Sequence, residues 1–306
     1  MSAPRGVYAA ILTPLTAALE PDLDLFVAHG KWLLAHGCDG LTPLGTTGEA
    51  NSLSLKQRMR VLEAAGRHLP PAKLIIGAGS SAIADAVHLA RASLDIGAAG
   101  VLLLPPFYYK NPGEDGLFAF FAQVIERTAD PRLRAYLYHF PQQSAVPIAA
   151  SLIRRLKDSY GDIIAGLKDS GGDWNYSAGL LKDFTGFGIF TGSEQYLLAN
   201  LRAGGVGTIS ASVNVTALLA QPVYAKWREA EADAAQEVLT AARALFKDLP
   251  LVGAIKEMMT LISGNPAWRH ILPPNTPLAP AQRAELEARL AELPAMRPVM
   301  AASRAA

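Results

Sequence analysis

Eight short apolar runs, each followed by a turn and a longer amphipathic segment, limit this chain more than any other feature of its 306 residues. The runs cover residues 7–13, 39–43, 73–78, 100–104, 134–139, 163–169, 188–191 and 207–210. Helical periodicity falls between them, over residues 24–36, 56–68, 82–96, 116–128, 149–159 and 194–203. Strands that alternate with helices pair in parallel and are covered on both faces, which is why the runs are continuously apolar. Eight such units within residues 1–229 predict an α/β fold, the (β/α)8 TIM barrel, which typically takes about 250 residues. An open doubly wound sheet with fewer strands is the competing arrangement.

Beyond Asn214 the texture changes. Residues 215–229, 232–246, 251–262 and 280–292 are rich in Ala, Leu, Glu, Lys and Arg, with proline- and glycine-marked turns between them. The first of these reads as the eighth barrel helix, and residues 230–306 as a small C-terminal helical appendix whose end, 296–306, is expected to fray.

A hydrophobic share of 50% with 18% charged residues belongs to a folded globular chain. A net charge of +1 leaves no electrostatic footprint for nucleic acid or an anionic membrane, so recognition has to be local. Cys38 is the only cysteine, which excludes an internal disulfide framework and a multi-cysteine metal site. The N-terminal apolar run is too short for a secretion signal and no later run reaches membrane-spanning length, so the expected location is cytoplasmic.

In a barrel of this kind chemistry sits in the loops after the strands. Lys168 closes the sixth run, where apolar sequence gives way to the polar Ser170-Gly-Gly172. An ammonium there is either paired or snorkelling, or it loses its proton and becomes the nucleophile that a Schiff base requires. After the second run, Gly45 and Gly48 let the backbone turn so that amides and hydroxyls of Thr46 and Thr47 can converge on a small anion. The other reading is an ordinary turn with Thr47 or Glu49 capping the next helix. The fourth run leads into Pro105-Pro-Phe-Tyr-Tyr-Lys-Asn-Pro112, which presents Tyr108 and Tyr109 on a stiff loop as proton relays or interface aromatics. The fifth places Tyr138 at its C-terminal end, one strand from Lys168, where a phenol could shuttle protons for an imine. His139 points the other way and reads as structural. The last loops offer Gly192-Ser193-Glu194 and the glycines at 204–207, which precede the eighth run and so favour a tight turn over a phosphate site.

Together these pieces resemble the pyruvate-dependent class I aldolase superfamily that includes dihydrodipicolinate synthase and N-acetylneuraminate lyase. The resemblance rests on Ile11-Leu-Thr-Pro14, Gly45-Thr-Thr-Gly-Glu49, Pro106-Phe-Tyr-Tyr109, Tyr138-His-Phe-Pro141, Gly166-Leu-Lys-Asp169 and Gly207-Thr-Ile-Ser210, in order and at proper spacing. It implies that Lys168 forms an imine with pyruvate or another small 2-oxo acid, without metal or organic cofactor. It further implies that Thr46 and Thr47 hold the carboxylate, that Tyr138 moves protons and that Ile209 lines the pyruvate pocket. A tyrosine of a neighbouring subunit completes the relay: Tyr108 by the length of the Pro-Phe-Tyr-Tyr match, Tyr109 when counting back from Gly116. Relatives of this type are homotetramers built as dimers of dimers.

The resemblance also has gaps. Dihydrodipicolinate synthases carry an arginine shortly after Tyr-x-x-Pro for the carboxylate of the aldehyde partner, whereas this chain has Gln142 and Gln143. Ser193 and Glu194, near where sialic-acid lyases bind sugar hydroxyls, imply a hydroxylated or otherwise neutral partner, with helix capping by Ser193 as the alternative. The expected function is a Schiff-base lyase acting on a sugar-derived or similar 2-oxo acid. The alternatives are dihydrodipicolinate synthase proper, a dehydratase or deaminase of the same family, a non-catalytic 2-oxo-acid binder and a metal-dependent aldolase.

Overall fold

A computed structural model describes residues 3–304, with side chains over residues 3–302. The strands are β1 (Gly6–Ala9), β2 (Gly40–Leu41), β3 (Ile75–Gly77), β4 (Gly100–Leu103), β5 (Ala135–His139), β6 (Ile164–Asp169), β7 (Gly188–Thr191) and β8 (Gly207–Ser210). All neighbours pair in parallel in the order β2-β1-β8-β7-β6-β5-β4-β3, and a bridge between Leu41 and Leu74 brings the two ends of that row together. The result is the (β/α)8 barrel that the sequence rhythm predicts.

The outer ring is α1 (Leu23–Ala35), α2 (Leu55–His68), α3 (Ile83–Asp95), α4 (Glu114–Thr128), the short α5 (Pro141–Ser144), α6 (Ala150–Tyr160), α7 (Trp174–Asp183), α8 (Leu197–Arg202) and α9 (Val213–Ala225). Neither α5 nor α7 is apparent in the sequence. α7 contains Asn175, Ser177 and Gly179 and buries only Ser177 and Leu180, so both its propensity and its apolar stripe are weak. Its start is set by Asp173, whose side chain accepts from the Asn175 amide. The segment expected as one helix over 194–203 is a 3-10 turn, Glu194–Tyr196, running into α8.

Inside the barrel, Tyr8, Ile75, Tyr136, Tyr138, Phe190 and Ile209 form a packed interior layer. A Cβ on Gly100 or Gly166 would come within 2.8 Å of the Tyr136 ring, so the bulky residue on β5 is accommodated by the missing side chains on β4 and β6. Four more helices follow: α10 (Glu231–Ala244), α11 (Leu251–Ser263), α12 (Pro280–Ala291) and α13 (Arg297–Arg304). They build a second core from Phe246, Ile255, Met258, Ile262, Trp268 and Leu286, which also takes in Leu12 after β1 and Val215 on α9. The end of the chain corrects the expectation of fraying: α13 is formed, and Met296 and Val299 are fully buried in this core. Residues 305–306 lie outside the described residues. Among the described residues no helix is long and apolar enough to cross a membrane.

The junction between α1, β1 and α9 depends on Asn214. Its amide nitrogen donates to the Ala10 and Ala211 carbonyls, while its oxygen accepts from the Leu12 amide and the His29 imidazole. His29 is fully enclosed, and burial pushes its pKa down to about 4 despite the Asn214 bond. The unfolded chain takes up this proton near pH 6.5 while the folded one resists it, so acid favours unfolding. About 3 kcal/mol of stability should be lost as pH falls from about 6.5 to about 4. Urea denaturation across that range should show the slope, and His29→Gln, which keeps a neutral hydrogen-bonding group, should flatten it.

Candidate active site

Lys168 and Tyr138 are register partners on adjacent parallel strands, so both project into the barrel at one level near its C-terminal end. The Lys168 ammonium lies 4.3 Å from the centroid of the Tyr138 ring. Lys168 is 4% exposed, and among the described residues it has no carboxylate partner. The Tyr138 hydroxyl is 3.4 Å from Thr46 Oγ1, which joins the loop after β2 to the same centre.

These groups open into a cleft of about 550 Å³ whose wall includes Thr46, Thr47, Tyr138 and Lys168. Of the other residues singled out in the sequence, Ser193 lines the cleft and makes no capping bond. Gly45 lies against a small side pocket beside Thr46 and Tyr138. Gly48 is packed where a Cβ would lie 3.1 Å from the Ile11 carbonyl. Neither glycine supplies the left-handed backbone of the loop: Leu44 (φ 61°) and Glu49 (φ 56°) do, which corrects the reading of the loop as glycine-turned. Gln142 spends its amide on the Gly171 carbonyl, and Gln143 faces the cleft.

Two of the residues singled out lie off the cleft surface. Glu194 is wholly buried and bonds the hydroxyls of Ser210 and Thr216, so it ties β8 and α9 to the 3-10 turn. Ile209 is also fully buried, in the interior layer with Tyr138 and Phe190, and does not line the cleft. Tyr108 and Tyr109 are 73% and 71% exposed, stacked edge to face on their loop, and neither borders the cleft of its own chain.

The structure adds residues that the sequence did not flag. Asp169 lines the cleft beside Lys168, but its carboxylate is occupied by the Ser177 hydroxyl at 2.6 Å and the Gly171 amide at 2.8 Å. Behind it His139 accepts from the Ile148 amide and stacks on Tyr176, with its pKa lowered by burial and partly restored by Asp169. The reading of His139 as structural agrees with this. The appendix forms much of the opposite wall through Arg243 on α10, Leu251–Gly253 on α11 and residues 274–276. Among the described residues no group of three His, Cys, Asp or Glu is placed to hold a metal ion.

A parallel barrel with a buried lysine beside a tyrosine at the strands' C-terminal ends, open to a polar cleft, belongs to an enzyme class that acts on small molecules at that face. The comparisons narrow this. The model of the dihydrodipicolinate synthetase family matches residues 3–293, and the chain belongs to that family of lyases. An uncharacterized DapA-like lyase of Chloroflexus aurantiacus is 36% identical over 276 residues, 89% of this chain and 92% of that protein. The crystal structure of dihydrodipicolinate synthase from Agrobacterium tumefaciens superposes with a TM-score of 0.87 at 29% identity, covering 95% of this chain and 99% of that one. YagE of Escherichia coli K12, described as a putative 2-dehydro-3-deoxy-D-gluconate aldolase, is 29% identical over 94% of this chain and 96% of its own. Its structure in complex with pyruvate superposes with a TM-score of 0.87 at 27% identity, over 95% of this chain and 99% of that one.

The loop that carries Thr46 and Thr47 is anchored from outside the barrel. Glu49 points into the protein, accepts from the Leu272 amide at 2.6 Å and pairs with Lys256 of α11, which also donates to the His270 carbonyl. Lys256 is 1% exposed, and desolvation holds its pKa below the usual lysine value against the pull of Glu49. Removing one member of such a pair leaves the other charge buried and uncompensated. Lys256→Met should therefore cost about 3–5 kcal/mol in urea denaturation, and the double variant Glu49→Gln/Lys256→Met should recover part of it.

Proposed function

We propose that this chain is a class I, Schiff-base-forming lyase that makes or breaks the C–C bond next to pyruvate in a 2-oxo acid, sugar-derived or of similar polarity. The observation that carries this reading is Lys168: a buried ammonium facing a cleft, beside a phenol and without a carboxylate partner among the described residues. A structural lysine in such a place is normally paired, as Lys256 is.

In the cleavage direction the neutral Lys168 amine adds to the C2 carbonyl, and the oxygen leaves as water once Tyr138 has supplied a proton. The resulting iminium accepts the electron pair of the C3–C4 bond to give an enamine. The C4 hydroxyl passes its proton to Tyr138 as the aldehyde departs. The enamine then takes a proton at C3, and water hydrolyses the imine to release pyruvate and free Lys168. Thr46 holds the Tyr138 hydroxyl, and Thr46 and Thr47 with their loop amides bind the C1 carboxylate. None of these steps calls on a metal or an organic cofactor.

The relay to solvent is completed in this reading by Tyr108, or Tyr109, of a second copy in a homotetramer, which gives two exposed tyrosines on a stiff loop a buried destination. Pyruvate as ligand is supported by its presence in the structure of YagE. The lysine-pathway reaction is disfavoured because Gln142 is engaged with Gly171 and neither glutamine offers a charged fork.

Borohydride reduction with pyruvate should add a reduced pyruvyl group to the Lys168 peptide; an unmodified peptide in the wild-type protein would overturn the proposal. Tyr138→Phe should lower kcat by about 10²–10⁴-fold. Mixing Tyr108→Phe chains with Lys168→Ala chains tests the shared site. Each alone should be impaired, and hybrid oligomers should regain activity only if the tyrosine acts across the interface.

A further inference from the structure

Of the Lys, Arg, Asp and Glu side chains, three line the cleft: Lys168, Asp169 and Arg243. The proposed chemistry uses the first, and the second is spent on Ser177 and Gly171. Arg243 is half-buried, and its guanidinium has no hydrogen-bond or ion-pair partner among the described residues. Elsewhere Arg155, Arg202 and Arg269 each meet a carboxylate.

The backbone beneath Arg243 is fixed. It occupies the last turn of α10, where Ala242 and Leu245 are buried in the second core. The same helix is tied to the barrel by Gln236, which bonds the Glu194 carbonyl and the Leu198 amide, and by the Arg202–Asp233 pair. The first turn of α11 lines the same cleft, with the amides of Leu251, Val252 and Gly253 lying ahead of the first helical bond, from Ala254 to Pro250. Those amides add partial positive charge to the cleft that the guanidinium lines.

We infer that Arg243 anchors a second anion subsite, and that the 2-oxo acid handled here carries a carboxylate or phosphate at the end remote from C1. This rests on the proposed imine at Lys168, which fixes the C1 end. A cleft of about 550 Å³ has room beyond pyruvate for several more carbons. A bidentate guanidinium is suited to either terminal group.

The test uses the full-length protein and simple probes. 2-Oxoglutarate, 2-oxoadipate and 2-oxopimelate are compared by calorimetry with 2-oxopentanoate, 2-oxohexanoate and 2-oxoheptanoate, which match them in length but end in a methyl group. At least one dicarboxylate should bind about tenfold more tightly than its partner. Arg243→Gln should erase that advantage and Arg243→Lys should keep part of it, while borohydride trapping of pyruvate and thermal melting stay at wild-type values in both. Of inorganic phosphate and acetate, the one that removes the advantage at lower concentration names the terminal group. No preference at any chain length in the wild type, or a preference that survives Arg243→Gln, overturns the subsite. Absence of a pyruvate adduct in the wild type would instead count against the imine, and the calorimetric comparison still reads out Arg243 on its own.

Discussion

A lysine is held inside a protein only where something stronger than its own solvation puts it there. Here that is the parallel ladder between β5 and β6, which makes Tyr138 and Lys168 register partners and sends both side chains to the barrel interior. A one-residue slip would turn Lys168 outward and bring Asp169 in. Closure of the ring prevents the slip, because β6 is also registered against β7, with Lys168 opposite Phe190. The fit of Tyr136 against Gly100 and Gly166 fixes the strands on either side of β5 at the level below.

Much of this was legible in the sequence because it depends on periodicity and on strand ends. The strands β7 and β8 coincide with the apolar runs at 188–191 and 207–210, and alternation along β5 turns Tyr138 inward one strand from Lys168, whereas Thr46 comes from the loop after β2 and from the family resemblance. The first run overshoots its strand: residues 10–13 continue apolar after β1 ends at Ala9, because Leu12 is buried against the appendix and not in the sheet. Periodicity reports burial and cannot say against what.

What was not legible is where polar side chains spend their hydrogen bonds. Ser193 and Glu194 are adjacent, yet one faces the cleft and the other is locked beneath it by Ser210 and Thr216, residues 16 and 22 positions away. Ile209, which the family resemblance puts in the pocket wall, lies in the interior layer and does not border the cleft. The glycines at 45 and 48 suggested where the loop turns, while the left-handed positions are Leu44 and Glu49. A non-glycine residue stays in that conformation when its surroundings over-determine it, and the inward bonds of Glu49 to Leu272 and Lys256 do so. Arg243 carries no pattern at all, since an arginine in an Ala- and Glu-rich helix reads as a solvated face.

The two buried lysines show how one residue type is given opposite tasks. Lys256 meets Glu49 and the His270 carbonyl, so its charge is matched and its position fixed. Lys168 meets an aromatic face and a cleft and has no carboxylate partner among the described residues, so its nitrogen stays open to a ligand. The first arrangement holds the second in working order, because the loop that Glu49 ends is the one that brings Thr46 to Tyr138. The appendix thereby reaches the cleft twice, from below the loop through Lys256 and across it through Arg243. A helical segment that is peripheral in sequence thus sets the shape of the site.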